Sequence, residues 1–256
     1  MHPVLFQWGP AALSTYTVLV SLAFFVGAGV WILQGRRLGW STERMVHLSL
    51  MAALWGWLGA RALFVLTQWD RYLADPLRIF MVWEGGVVFL GGFLAATAYL
   101  LRAIPAEGIP LRKGLSTAAA AVAWAHAVGR LGCFFNGCCH GSRCDLPWAV
   151  TFEHPFSAAQ PLGVPLHPSQ LYEVLGLVLL GGLILWSERR PRPLGQGWRL
   201  YLLGYSALRF FVEFTRGDGL RGAWAGLSTS QWICVVLFLT ALLLDLRGRE
   251  DHNHAS

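Results

Sequence analysis

The sequence predicts an all-α, polytopic membrane protein of seven transmembrane helices, N-terminus outside and C-terminus in the cytoplasm. Three observations predict it. Of 256 residues, 55% are hydrophobic and 13% charged, against about 25% charged in a soluble domain. The mean hydropathy is +0.49, and apolar runs recur near the roughly 20 residues that a bilayer core demands. Lysine and arginine collect in alternate loops.

The runs lie at about 12–34, 47–67, 86–103, 115–134, 168–186, 198–214 and 228–245. The first contains no Lys, Arg, Asp or Glu, and none precedes Arg36. It lacks the basic region of a cleavable signal and is too long for one, so it is read as a retained span. Between the second and third, Asp75-Pro76-Leu77-Arg78-Ile79-Phe80 reads as a short helix in the outer interface. Gly85-Gly86 and Gly91-Gly92 bracket the start of the third span; small residues let helices approach closely in lipid, and Trp83 is an interfacial anchor. Arg130 interrupts the fourth span, where Gly129, Gly132, Gly137 and Gly141 predict a break into a loop facing a cavity. The fifth starts at His167-Pro168-Ser169-Gln170, with proline suited to the first helical position and Gln170 and Glu173 to backbone capping. Arg209 interrupts the sixth, and Cys234 reads as buried in the seventh. Residues 1–246 form one seven-span domain; 247–256 form a polar cytoplasmic tail, read as disordered.

Orientation follows from charge. Arg36, Arg37, Arg44, Arg102, Arg112, Lys113, Arg189, Arg190, Arg192, Arg199, Arg247 and Arg249 share one set of loops, twelve of the twenty basic residues. That set faces the cytoplasm by the positive-inside rule. The net charge of +6 contains no basic run, so nucleic acid is not an expected partner.

Ionisable residues inside spans are costly, which marks them as functional. Arg130 and Arg209, on separate spans at the outer side, have the chemistry of a fork for a phosphate monoanion. Arg209, Glu213 and Arg216 share a helical face, with Asp218 beyond and Tyr205 one turn before. Cys133, Cys138, Cys139 and Cys144 make C-x4-C-C-x4-C with His140 inserted. No established zinc spacing matches it, so no metal or other cofactor is expected. A disulfide and thiolate chemistry beside arginine stay open.

Taken in order, these motifs resemble prolipoprotein diacylglyceryl transferases. The likeness runs from Gly9-Pro10 and Tyr16 through Gly59-Ala60-Arg61, Ala74-Asp75-Pro76-Leu77, Trp83-Glu84-Gly85-Gly86 and the Gly129-Arg130 box. It continues through His167-Pro168-Ser169-Gln170-Leu171-Tyr172-Glu173 to Tyr205, Arg209, Glu213 and Arg216, ending near Gln231. The resemblance implies an enzyme of the bacterial cytoplasmic (inner) membrane. It would move the diacylglyceryl group of phosphatidylglycerol to the lipobox cysteine of a prolipoprotein signal peptide, among membrane lipids and without a cofactor. It implies catalytic roles for Arg130, Arg209, Tyr16 and Tyr205. Asn136, Gly141, His167, Ser169, Gln170, Glu213, Arg216 and Arg61 would bind substrate. Leu90 stands where the family has histidine, Cys133 where asparagine is usual and Cys138 where glutamate is usual. His140 or His126 is then the candidate base. Two rivals remain open: a paralogue with thiol, redox or acyl chemistry at Cys133, Cys138 or Cys139, and a non-catalytic lipid-binding protein.

The charge distribution makes one expectation measurable. Reporter fusions at Lys113 and Pro155 should report opposite sides of the membrane; the same side for both would overturn the span order.

Overall fold

The structure, a computed structural model, describes residues 2–8, 11–81, 85–189, 196–217 and 222–253. Gly9, Pro10, Trp83, Glu84, Arg190, Arg192, Asp218 and Arg221 lie outside the described residues. Among the described residues eight helices dominate: α1 (Thr15–Arg37), α2 (Thr42–Thr67), α3 (Trp69–Ala74), α4 (Phe89–Ala106), α5 (Leu111–Asn136), α6 (Ser169–Glu188), α7 (Gly197–Glu213) and α8 (Thr229–Asn253). Five of these, α1, α2, α4, α5 and α6, are long and apolar enough to cross a membrane. The protein is a helical, multi-pass membrane protein. Among the described residues, three short antiparallel pairings accompany the helices: Val4–Trp8 with Ala11–Ser14 ahead of α1, Val150–Thr151 with Pro165–Leu166 between α5 and α6, and Ala223–Trp224 with Leu227–Ser228 between α7 and α8. The sequence reading contained no strands. Such short pairings carry too little alternation to register as a pattern.

The chain divides into two compact units, Ile32–Gly114 and the remainder. Within the smaller unit, α2 and α4 pack through glycine. A side chain on Gly91 would collide with the carbonyl of Gly59 and with Leu63, and one on Gly59 with Gly91 and Ala95. The close-packing reading of Gly91-Gly92 holds. Gly86 serves a different need: its φ is +88° and Phe64 occupies the space a side chain would take. Asp75 precedes a 3-10 turn, Pro76–Phe80, that leaves Leu77 and Phe80 largely exposed.

The larger unit holds α6, α7 and α8, packed in sequence, with the N-terminal part of α1 and most of α5. Trp31 Nε1 donates to Thr117 Oγ1 at 3.1 Å, joining α1 to α5. On α6, Leu177, Leu180 and Ile184 are buried while Leu175, Leu179 and Leu183 point outward. An exposed leucine ridge of this kind suits lipid and is unfavourable in water.

Three local expectations change. Helix α5 runs unbroken through Gly129, Arg130 and Gly132 to Asn136, and the chain turns only at Gly137, with φ +80°. Glycine inside a helix weakens it by about 1 kcal/mol, which is too little to break a helix of this length. The Tyr16 ring and Leu19 sit about where a side chain on Gly132 would touch them, at 3.4 Å. Pro168 is the residue before the first helical position, and α6 starts at Ser169. Helix α8 runs from Thr229 to Asn253, past the expected end of the seventh span near 245; an established helix propagates one bond per residue until something stops it.

The glycine contact between α2 and α4 should be intolerant of size. Gly91→Leu is expected to lower stability by at least about 1–3 kcal/mol, read as a drop in unfolding midpoint in detergent. Gly29→Ala, with nothing within 4 Å of the added carbon, should leave the midpoint within error.

Candidate active site

In the larger unit, one end of α5, α6 and α7 gathers the polar residues that their apolar lengths exclude. The last turns of α5 carry Arg130, Cys133 and Asn136; the first turns of α6 carry Ser169, Gln170 and Glu173; the end of α7 carries Tyr205, Arg209 and Glu213. Their centre is Glu173, 1% exposed. Its Oε2 pairs with Arg130 Nε and its Oε1 with Arg209 Nε at 3.5 Å. Arg209 Nη2 reaches Glu213 Oε2 at 2.6 Å, and Glu213 Oε1 accepts from Ser228 Oγ at 2.8 Å. Two arginines and two carboxylates thus balance in a buried chain. Charges in such surroundings persist only when paired.

The two guanidiniums, from different helices, therefore lie within reach of one carboxylate. Arg209 Nη1 is buried with no hydrogen-bond partner among the described residues, leaving a donor for a ligand oxygen. The Tyr205 hydroxyl hydrogen-bonds Arg130, and its ring stacks on Tyr201 with centroids 5.7 Å apart. His126 lies against Tyr205, centroids 4.9 Å apart, with Nδ1 3.3 Å from the Tyr201 hydroxyl.

Three segments beyond the helices lace together beside this cluster. Gly141 N donates to His167 O, Ser142 N to Thr215 O and His167 N to Ser142 O, at 2.8–2.9 Å. Gly141 also forms a β-bridge with Arg216. Any side chain on Gly141 would meet His167, Ser169 Oγ and the Thr215 carbonyl, so only glycine permits the convergence. Ser169 Oγ lies 2.8 Å from Thr215 Oγ1, and His167 Nδ1 3.2 Å from the Tyr172 hydroxyl. Gln170 Nε2 donates to Cys138 O at 2.8 Å.

The five cysteines are free thiols. The Sγ atoms of Cys133, Cys138 and Cys139 all lie within 4.8 Å of one another, although C-x4-C-C matched no metal spacing. Hydrogen bonds from Cys133 and then Cys138, with Arg216 adding its charge, hold the Cys139 thiol well below the ordinary thiol range. Cys138 is pushed up: its bond with Cys133 lowers it, but its bond with Cys139 and its burial outweigh that.

The structure thus assembles Arg130, Arg209, Tyr205, Glu213, Asn136, Gly141, His167, Ser169, Gln170 and Arg216 in one region, with Tyr16 against Gly132. Arg216 stands outside α7, which ends at Glu213, so it enters through the bridge and not along a helical face. Arg61 belongs to the smaller unit. Its five N–H groups face the carbonyls of Arg78, Ile79, Met81, Gly85 and Gly86, so it organises a loop and has no donor left over. The His140 ring is likewise occupied, with Nδ1 2.8 Å from Gly141 O and Nε2 accepting from Gln160 N. Glu173 is the centre of this cluster and not a helix cap: α6 has no side-chain cap bond. A carboxylate one turn inside an apolar span was the available signal.

The fold and the site define a class: a multi-pass membrane protein with a buried arginine–carboxylate cluster at one end of its helices. The prolipoprotein diacylglyceryl transferase family matches over residues 3–246, and the chain belongs to it. Among its relatives is a phosphatidylglycerol–prolipoprotein diacylglyceryl transferase of Polynucleobacter asymbioticus, 35% identical over 97% of both chains. One of the same name from Bordetella bronchiseptica is 38% identical over 93% of this chain and 92% of its own. A Clostridium perfringens relative, named as the second transferase of that kind, is 28% identical over 91% of this chain and 94% of its own.

The bridging role of Glu173 has a stability signature. Glu173→Ala should cost about 3–5 kcal/mol, because it leaves buried charge uncompensated. Adding Arg130→Met to it should restore part of that loss, measured by unfolding in detergent. A double variant weaker than the sum of the singles would overturn the coupling.

Proposed function

We propose that this protein transfers the diacylglyceryl group of phosphatidylglycerol to the lipobox cysteine of prolipoproteins, from the outer side of a bacterial cytoplasmic membrane. In this reading the chain crosses seven times as one domain over residues 1–246, with α7 and α8 completing the five longer spans. Its N-terminus lies outside and its C-terminus inside. The observation that carries the activity is the convergence of Arg130 and Arg209 on a single carboxylate.

An anion-sized position between two arginines is what a phosphodiester needs. The substrate sulfur attacks the glyceryl carbon that bears the phosphate oxygen. A carbon–sulfur bond forms, the carbon–oxygen bond breaks, and the electron pair leaves on oxygen as glycerol phosphate. The thiol proton is released to solvent. Charge grows on the departing phosphate, so donors placed for that oxygen act most strongly in the transition state. Arg130 and the free donor of Arg209 supply them, and Tyr205 steadies Arg130. Glu173 and Glu213 hold the arginines in place when no lipid is bound. Tyr16, Asn136, Gly141, His167, Ser169, Gln170 and Arg216 shape the pocket around the headgroup and the peptide. Arg61 acts within its own unit, on the carbonyls of Arg78, Ile79, Met81, Gly85 and Gly86, and His140 holds the loop after α5.

Labelled phosphatidylglycerol and a lipobox peptide, with protein in detergent, test the reading. Arg130→Ala and Arg209→Ala should each lower thioether formation by at least about 10²–10³-fold. Folded wild-type protein that binds lipid yet yields no thioether with several peptides would leave the non-catalytic lipid-binding reading in its place.

A further inference from the structure

Three thiols meet beside the arginine cluster, and the transfer described above gives them no task. Cys133 belongs to the last turn of α5, and Cys138 and Cys139 to the turn after it. Adjacent residues normally direct their side chains apart. Here Cys139 takes the left-handed conformation, with φ +63°, a strain of order 1–3 kcal/mol for a residue with a side chain. With Gly137 also left-handed, both sulfurs come within 4.8 Å of Cys133 Sγ. The loop is braced from α6 by Gln170 on the Cys138 carbonyl. Arg130 Nη1 lies 4.0 Å from Cys133 Sγ, and Arg216 hydrogen-bonds Cys139.

Zinc–thiolate bonds of about 2.3 Å in a tetrahedron set sulfurs roughly 3.8 Å apart, within the observed limit. Three protein ligands with an open fourth position are the pattern of a catalytic zinc site, whereas four make a structural one. The neighbour that would close the site, His140, has both ring nitrogens occupied by backbone. Cys144 is not in the group. Three thiolates and one zinc carry a net charge of −1, which two adjacent arginines offset.

We propose that Cys133, Cys138 and Cys139 hold a zinc ion whose fourth position takes the substrate's cysteine, delivering it to the lipid as a thiolate. The proposal rests on the transferase reading. The peptide thiol binds zinc and its proton passes to solvent, because a coordinating thiol is deprotonated. The bound sulfur attacks the glyceryl carbon, and the carbon–oxygen electron pair leaves on the phosphate oxygen held by Arg130 and Arg209. The product thioether is neutral and a weak ligand, so it departs. No electron transfer occurs, since zinc has no redox chemistry here.

The test uses the full chain, purified in detergent under reducing conditions. Elemental analysis of wild-type protein should find one zinc per chain, and Arg209→Ala should keep it while losing transfer. Cys138→Ser and Cys139→Ser should each bind at least about tenfold less, while Cys234→Ser, in α8, keeps a full complement. In cobalt-substituted wild-type protein, a lipobox peptide should shift the cobalt–thiolate absorption and its cysteine-to-serine counterpart should not. Wild-type protein with five reduced thiols and no bound zinc would overturn the proposal, as would a disulfide within the cluster or a cobalt spectrum blind to the peptide. Transfer by zinc-free protein sinks the zinc site and leaves the transferase reading intact. Zinc and a peptide response without any thioether do the opposite.

Discussion

Everything at the polar end of the larger unit depends on how Glu173 is neutralised. A carboxylate 1% exposed cannot hold its charge there unless cations approach closely. Arg130 comes from α5 and Arg209 from α7, so the pairing sets the spacing of three helices at once. Glu213 then pairs with Arg209 Nη2 and is itself anchored by Ser228, just before the last helix. Each charge is tolerable only because of the next. The same chain brings two guanidiniums from different helices onto one carboxylate.

The loops that complete this end rely on backbone contacts too close for side chains. Gly141 lets the segments around Ser142, His167 and Thr215 exchange hydrogen bonds directly. Arg216 then enters by its bridge to Gly141 and reaches the thiols. Arg61 plays a comparable part in the smaller unit, where one buried guanidinium collects five backbone carbonyls. Both arrangements answer one constraint: backbone polar groups taken out of water need hydrogen-bond partners.

The three thiols meet through backbone conformation, since neighbouring side chains ordinarily diverge. A left-handed residue at Cys139 removes that obstacle. Nothing about cysteine itself announces the conformation, which is far commoner for glycine or asparagine. Gln170 on α6 helps hold the turn, and it lies 31 residues along the chain from Cys139.

By itself the sequence determined the membrane class and the approximate course of the helices, and it singled out Arg130 and Arg209 as charges inside apolar spans. Those properties are local: apolar length, and the expense of charge inside it, are readable residue by residue. The order of the motifs carried the family as well. Only the tertiary structure decided what the arginines bind, because Glu173 looks like a helix cap until α5 and α7 are packed against it. It also decided that α5 passes unbroken through its glycines, that Arg61 and His140 serve loops, and that three sulfurs meet. Each outcome depends on which partner fills the space opposite a side chain. That choice is made by long-range packing and by the need to pair every buried charge.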